Sequence, residues 1–190
     1  MAQGIPIDAG VLHVGGSGWS TMLERSSNWP LFEDILTDKV DDPWERQVLY
    51  SLSQLFWDPA DPINYTEGLA EATVLWQESI GDEQVPNLST RALVRSVGAP
   101  QMAPVVEDSY GIEVVDGPLP PGAIAMTQFD PETELPPDGN RPAPVTRAHN
   151  RPRLWDGTQT QIIQFLSEGQ EGSVVHPCGS DPCSMSNPGE

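Results

Sequence analysis

An aspartate and a histidine carry the most chemistry in this sequence of 190 residues. Asp82 closes the stretch ATVLWQESIGD, in which an apolar run gives way to a Gly-Asp turn, and His149 follows a second apolar run, AIAMTQF. A neutral imidazole can take the proton of a hydroxyl nucleophile. A carboxylate beside it fixes the tautomer and stabilises the imidazolium that forms. Each residue also has a plainer use: Asp82 as a turn former or helix cap, and His149 as part of a solvated basic loop with Arg147, Arg151 and Arg153. Order and placement lift the pair above either residue alone. Both sit on loops that follow apolar runs, and the C-terminal ends of strands are where catalytic groups of open α/β sheets gather.

The elements that must position them follow from periodicity and punctuation. Val11–Val14 reads as a short strand running into the turn Gly15-Gly16-Ser17-Gly18, and ATVLWQ (72–77) as a buried strand. Ile112–Val115 is a shorter candidate, and Ala123–Phe129 a longer one after Pro120-Pro121-Gly122. A helix is expected over WERQVLYSLSQLFW, with Asp42 as N-cap and Pro43 at its first position. Trp44, Val48, Leu49, Leu52, Leu55 and Phe56 form one apolar stripe on it, and Trp44 and Trp57 read as core anchors at its two ends. Asn87 can cap a helix that Gly98 stops, and Thr158–Glu168 makes a last helix with Ile162, Phe165 and Leu166 inward. Residues 130–147 are Pro-rich and aperiodic, a long loop. Strands alternating with helices predict an α/β fold on a parallel sheet.

The stretches LHVGGSGWSTMLERS, QLFWDPADPINY, VLWQESIGDEQVPNLSTRALVRSVGAP and TRAHNRPRLWDGTQTQIIQFLSEG together resemble the C-terminal half of large bacterial α/β-hydrolases of the lipase and esterase type. The resemblance runs from about residue 10 to residue 178. It is strongest in the GD-x-x-VPN segment and the later His-Asn. It implies a partial α/β-hydrolase sheet flanked by helices over residues 1–178, with 179–190 a flexible tail. It further implies that Asp82 matches the triad acid and His149 the triad base of an enzyme acting on carboxylic esters, with a small ester or lipid as substrate and no cofactor or metal. The Trp-Asp-Pro-x-Asp-Pro-x-Asn-Tyr run (57–65) matches a segment between nucleophile and acid strand, to which no catalysis is assigned.

One departure changes what is expected of the chain. Such hydrolases carry their nucleophile in G-x-S-x-G, on a turn between strand and helix, and that motif is absent here. Ser17 has Gly15 before it but Trp19 after it; Ser20 has Gly18 before it but Met22 after it. Ser20 would complete the order Ser, Asp, His, yet only about eight residues precede the stretch 9–19 that holds Val11–Val14, whereas a nucleophile strand in this fold is central. The expectation is the acid–base portion of a serine hydrolase, inactive alone, with unsatisfied sheet edges and a half-covered face. The alternative is an acidic, non-catalytic extracellular binding or structural module.

Charge narrows the partners. Acids outnumber bases 28 to 9, a net charge of −19. They are spread evenly, 15 and 5 in residues 1–95 against 13 and 4 in 96–190. Such a surface repels phosphate backbones, which excludes nucleic acid, and no apolar run approaches the ~20 residues of a membrane span. Four of the nine bases, Arg141, Arg147, Arg151 and Arg153, fall within thirteen residues; they can pair with the acidic loop Asp130, Glu132, Glu134 and Asp138 or hold a substrate carboxylate near His149. Asp58, Asp61 and Asn64 offer oxygen ligands for Ca²⁺, though their prolines fit turn-building better. Cys178 and Cys183 can close a disulfide, stay free, or join His176 at a metal. A disulfide points to a periplasmic or secreted protein, while the first fourteen residues have neither the basic nor the apolar region of a signal peptide.

Overall fold

A computed structural model describes residues 9–167 and 172–185. Strand β1 (Ala9–His13) leads into a helical segment: α1 (Trp19–Met22), α2 (Pro30–Thr37), α3 (Pro43–Trp57) and α4 (Thr66–Ala70). Then come β2 (Thr73–Ser79), α5 (Asn87–Val97), β3 (Gln101–Met102), β4 (Val114–Val115), β5 (Ala125–Asp130), α6 (Asp156–Leu166) and β6 (Cys183–Ser184). The strands form a parallel sheet in the order β1-β2-β5-β3-β4, with β6 on the end of β5, so the fold is α/β.

The central strands β2 and β5 are buried on both faces, as strands inside parallel sheets are, while the edge strand β1 is half-buried along its length. Strand periodicity sends Val74 and Trp76 to one side and Leu75 to the other. The first pair packs with Leu93, Val94, Val97 and Met126 under α5. Leu75 packs with Met102, Ala125, Phe165 and Val174 on the α6 side. Asp42 caps α3, accepting from the Trp44 N–H at 2.8 Å, with Pro43 next to it. Gly98, at φ 77°, ends α5 in the left-handed conformation that glycine tolerates best. The second half of β2 is polar yet buried, and each side chain is bonded. Glu78 takes Arg91 Nε at 2.9 Å and Nη2 at 3.0 Å, Gln77 reaches Gln161 at 2.8 Å, and Ser79 donates to the Ala148 carbonyl at 2.7 Å. No helix among the described residues is long and apolar enough to cross a membrane.

Three expectations need correcting. The apolar stripe of α3 is not core. Trp44 is 80% exposed and Phe56 84%, while Tyr50 at 5% is the buried residue of this helix. The cause is placement: α3 packs on α1, not on the sheet. Trp57 stacks on Trp19 with ring centroids 5.4 Å apart, and Trp44 anchors nothing. Second, Asn87 lies inside α5, after Pro86. Its amide joins the Ser79 carbonyl (2.7 Å) to the Gly81 N–H (2.9 Å) and so braces the turn that carries Asp82. Third, Cys183–Ser184, within the expected tail, pair with Phe129–Asp130, and Cys178 is disulfide-bonded to Cys183. The rest of that tail, 186–190, and Glu168 lie outside the described residues.

Candidate active site

Asp82 and His149 meet at the C-terminal ends of the neighbouring strands β2 and β5. The ring Nδ1 lies 2.8 Å from Asp82 Oδ2 and 3.1 Å from Oδ1, and both residues are buried. Asp82 Oδ1 also accepts the N–H groups of Gln84 and Val85, each at 2.8 Å, so the turn itself aims the carboxylate. The opposite ring nitrogen, Nε2, lies 3.0 Å from Arg153 Nη2. A guanidinium has donors only, so Nε2 must present its lone pair, and the ring hydrogen is on Nδ1, donated to Asp82. That is the tautomer of a general base.

The histidine comes from a long loop, and four contacts fix it. Its backbone N–H donates to Glu83 Oε2 at 3.1 Å, and Thr146 Oγ1 donates to the same oxygen at 3.2 Å. Ser79 holds Ala148 from below. Arg147 takes φ 70°, which turns the chain tightly enough for the Asn150 N–H to reach its carbonyl at 3.0 Å. Glu83 is fully buried, and its Oε1 has no hydrogen-bond partner among the described residues.

The Gly-rich turn after β1 crosses next to the site. A Cβ on Gly16 would fall 2.7 Å from Val85 Cγ1 and 2.8 Å from Ser89 Cβ, so only glycine lets the backbone approach this closely. Asp61 clamps the far end of the turn. It accepts from the Gly18 N–H (2.9 Å), the Trp19 N–H (3.1 Å), Gln54 Nε2 (2.9 Å) and the Ile63 N–H (3.2 Å). Burial raises its pKa, but these donors outweigh burial and hold the carboxyl below its ordinary value. With its lone pairs so engaged, Asp61 builds a turn and is not presented as a cation ligand. Asp58 likewise accepts from Gln54 and Asn64.

Neither serine of the turn joins the pair. Ser17 is buried, and its hydroxyl donates to the Ser89 carbonyl at 3.3 Å. The Ser20 N–H is taken by Gln54 Oε1 at 3.0 Å, and neither hydroxyl is hydrogen-bonded to His149. The arginines also differ from the pairing considered above: Arg151 donates to the Pro131 carbonyl at 2.8 Å, and Arg153 to the histidine. Sequence reasoning passed over Glu83 and His13. The first had a signal in standing next to Asp82, the second in closing β1. His13 Nδ1 is 2.8 Å from Gln77 Oε1, while its Nε2 is buried without a partner among the described residues.

A cavity of about 520 Å³ opens against His149, walled by Trp19, Met22, Leu23, Trp29, Phe32 and Val85. Its size and apolar lining suit a small ligand with an apolar body. No family model, curated protein or solved structure matches the chain.

Two histidines link acidity to stability. Burial lowers the pKa of His13, against the opposing bond from Gln77, and burial also lowers that of His176. The unfolded chain therefore binds these protons first, and stability falls as pH drops through 6.5, the ordinary value, toward the lowered ones. Thermal melts between pH 8 and 5.5 should show Tm falling with acid, and the double variant His13→Gln/His176→Gln should flatten the slope. An unchanged slope in the double variant would contradict this assignment.

Proposed function

We propose that this chain is the acid–base portion of a serine hydrolase acting on carboxylic esters, with the nucleophile and oxyanion hole contributed by polypeptide other than these 190 residues. The observation that carries the reading is the buried Asp82–His149 pair, with Nδ1 on the carboxylate at 2.8 Å and Nε2 left without a hydrogen, accepting from Arg153 at 3.0 Å. Further support comes from the resemblance in sequence and from strand order. Acid and base follow adjacent parallel strands, β2 and β5, in the chain order Asp then His.

In this reading His149 Nε2 takes the proton of a serine hydroxyl as its oxygen attacks the ester carbonyl, and Asp82 stabilises the imidazolium. The imidazolium then gives that proton to the leaving alkoxide, which leaves an acyl-enzyme. Water, deprotonated by the same nitrogen, then attacks the acyl carbon; the bond to the serine oxygen breaks, the imidazolium returns its proton to that oxygen, and the carboxylic acid is released. The apolar cavity beside His149 would take the acyl chain. The disulfide supports a periplasmic or secreted location.

One observation favours a second reading, a non-catalytic binding module: Arg153 already occupies the lone pair that a base needs. Labelling separates the two. The polypeptide as its source cell makes it, purified with an antibody to this chain, is treated with a fluorophosphonate and assayed on p-nitrophenyl butyrate. The hydrolase reading predicts turnover and a labelled serine outside these 190 residues. Absence of both would overturn it, and a label on Ser20 or Ser17 would overturn the placement of the nucleophile.

A further inference from the structure

Helix α3 carries an apolar face that the described residues leave in the open. Trp44, Val48, Leu49, Leu52, Leu55 and Phe56 fall within about 140° of its circumference at 3.6 residues per turn, and each is exposed, from 43% at Leu49 to 84% at Phe56. Tyr50, the buried residue of the helix, points the opposite way. The six expose roughly four residues' worth of surface, about 700 Å² at ~180 Å² each. Contiguous apolar patches of this size mark interaction sites, and a standard interface takes about 800 Å² from each partner.

Shape and charge both fit a second copy of this chain. The C-terminal end of the face projects Phe56, and its N-terminal end holds a hollow of about 390 Å³ lined by Val40, Trp44, Glu45, Val48 and Leu49. A knob and a hole at opposite ends of one helix complement themselves about a two-fold axis. With a net charge of −19, two copies repel wherever their acidic surfaces meet. Helix α3 has only Glu45 and Arg46 as charges in its 15 residues. Arg46 is turned to the Val40 and Asp41 carbonyls, which leaves Glu45 as the single charge on the face.

We propose that two chains dimerise through α3, packed antiparallel so that each Phe56 enters the partner's hollow against the partner's Trp44. That register sets Val48 opposite the partner's Leu52. The contact uses neither His149 nor a nucleophile, so it stands or falls separately from hydrolysis.

Sedimentation velocity of the chain tests the proposal. At about 20 µM in 0.5 M NaCl, most of the protein should sediment at twice the 20.7 kDa chain mass. Lowering NaCl to about 0.05 M should raise Kd by ~tenfold, because the like charges are then less screened. Phe56→Asp alters an exposed side chain, so the fold is retained; it should raise Kd at least ~100-fold, since the change enters the interface twice. A monomer at both salt concentrations would overturn the proposal, as would a dimer that added salt dissociates or an unaltered Kd in Phe56→Asp. For the register, Glu45→Cys and Leu55→Cys chains are oxidised together and separately. The mixture should give mixed disulfide pairs, because each variant alone holds its two sulfurs about 15 Å apart along the axis, ten residues at 1.5 Å. Cross-linking of either variant with itself in preference to the mixed pair would overturn the antiparallel contact.

Discussion

Changing Asp82 to Asn should lower ester turnover by the complete polypeptide by about 10⁴-fold, with little loss of stability. The geometry explains both halves of that expectation. Oδ1 accepts the N–H groups of Gln84 and Val85, and an asparagine carbonyl oxygen can keep both bonds. The atom that changes is Oδ2, 2.8 Å from the histidine Nδ1. An NH₂ there donates to Nδ1, which drives the ring hydrogen to Nε2 and leaves no base. It also sets an N–H against the Arg153 guanidinium, donor facing donor. The quantity to measure is kcat for a p-nitrophenyl ester beside a melting curve, and a loss under tenfold would contradict the assigned role.

Arg91→Met should cost about 3–5 kcal/mol of stability. The Glu78 side chain has no solvent exposure and Arg91 is 20% exposed. Burial pushes the Glu78 carboxyl above its ordinary value, and the charge and two N–H donors of Arg91 work against that push. Without the guanidinium, Gln128 Nε2 at 2.8 Å is left as the main donor to a carboxylate inside the sheet. The contact from Arg91 to Glu107 matters far less, since Glu107 is half exposed. Urea denaturation measures the loss, and Glu78→Gln added to Arg91→Met should restore most of it by removing the buried charge. A single-variant loss under 1 kcal/mol would contradict the account.

Strands β1, β2 and β5 were legible because they hold apolar runs ended by Gly, Pro or Asp and because helices alternate with them, whereas β3 (Gln101–Met102) and β6 (Cys183–Ser184), two residues each, leave no such run to read. The Asp82–His149 pairing was legible for the same reason: both residues follow such runs, and parallel neighbours bring their C-terminal ends together. The stripe on α3 misled because periodicity marks a face without saying what lies against it, and here α1 takes the other side. What fixes His149 was hidden for a different reason. Glu83, Ser79 and Thr146 act through single hydrogen bonds across more than sixty residues of chain, and no local pattern records such contacts. Arg153 was visible only as one of a cluster, and its choice of His149 over the acidic loop depends on the short 3-10 turn Arg151–Leu154 that carries it.

The Asp82 carboxylate holds the His149 ring hydrogen on Nδ1 and leaves Nε2 unprotonated toward Arg153, and the ring nitrogens report this directly. Nitrogen-15 NMR of the ring-labelled chain, at a pH where His149 is neutral, should give a protonated Nδ1 and an unprotonated Nε2. The pattern should invert in Asp82→Asn. A hydrogen on Nε2 in the unaltered chain, or a ring indifferent to that substitution, would contradict the central claim.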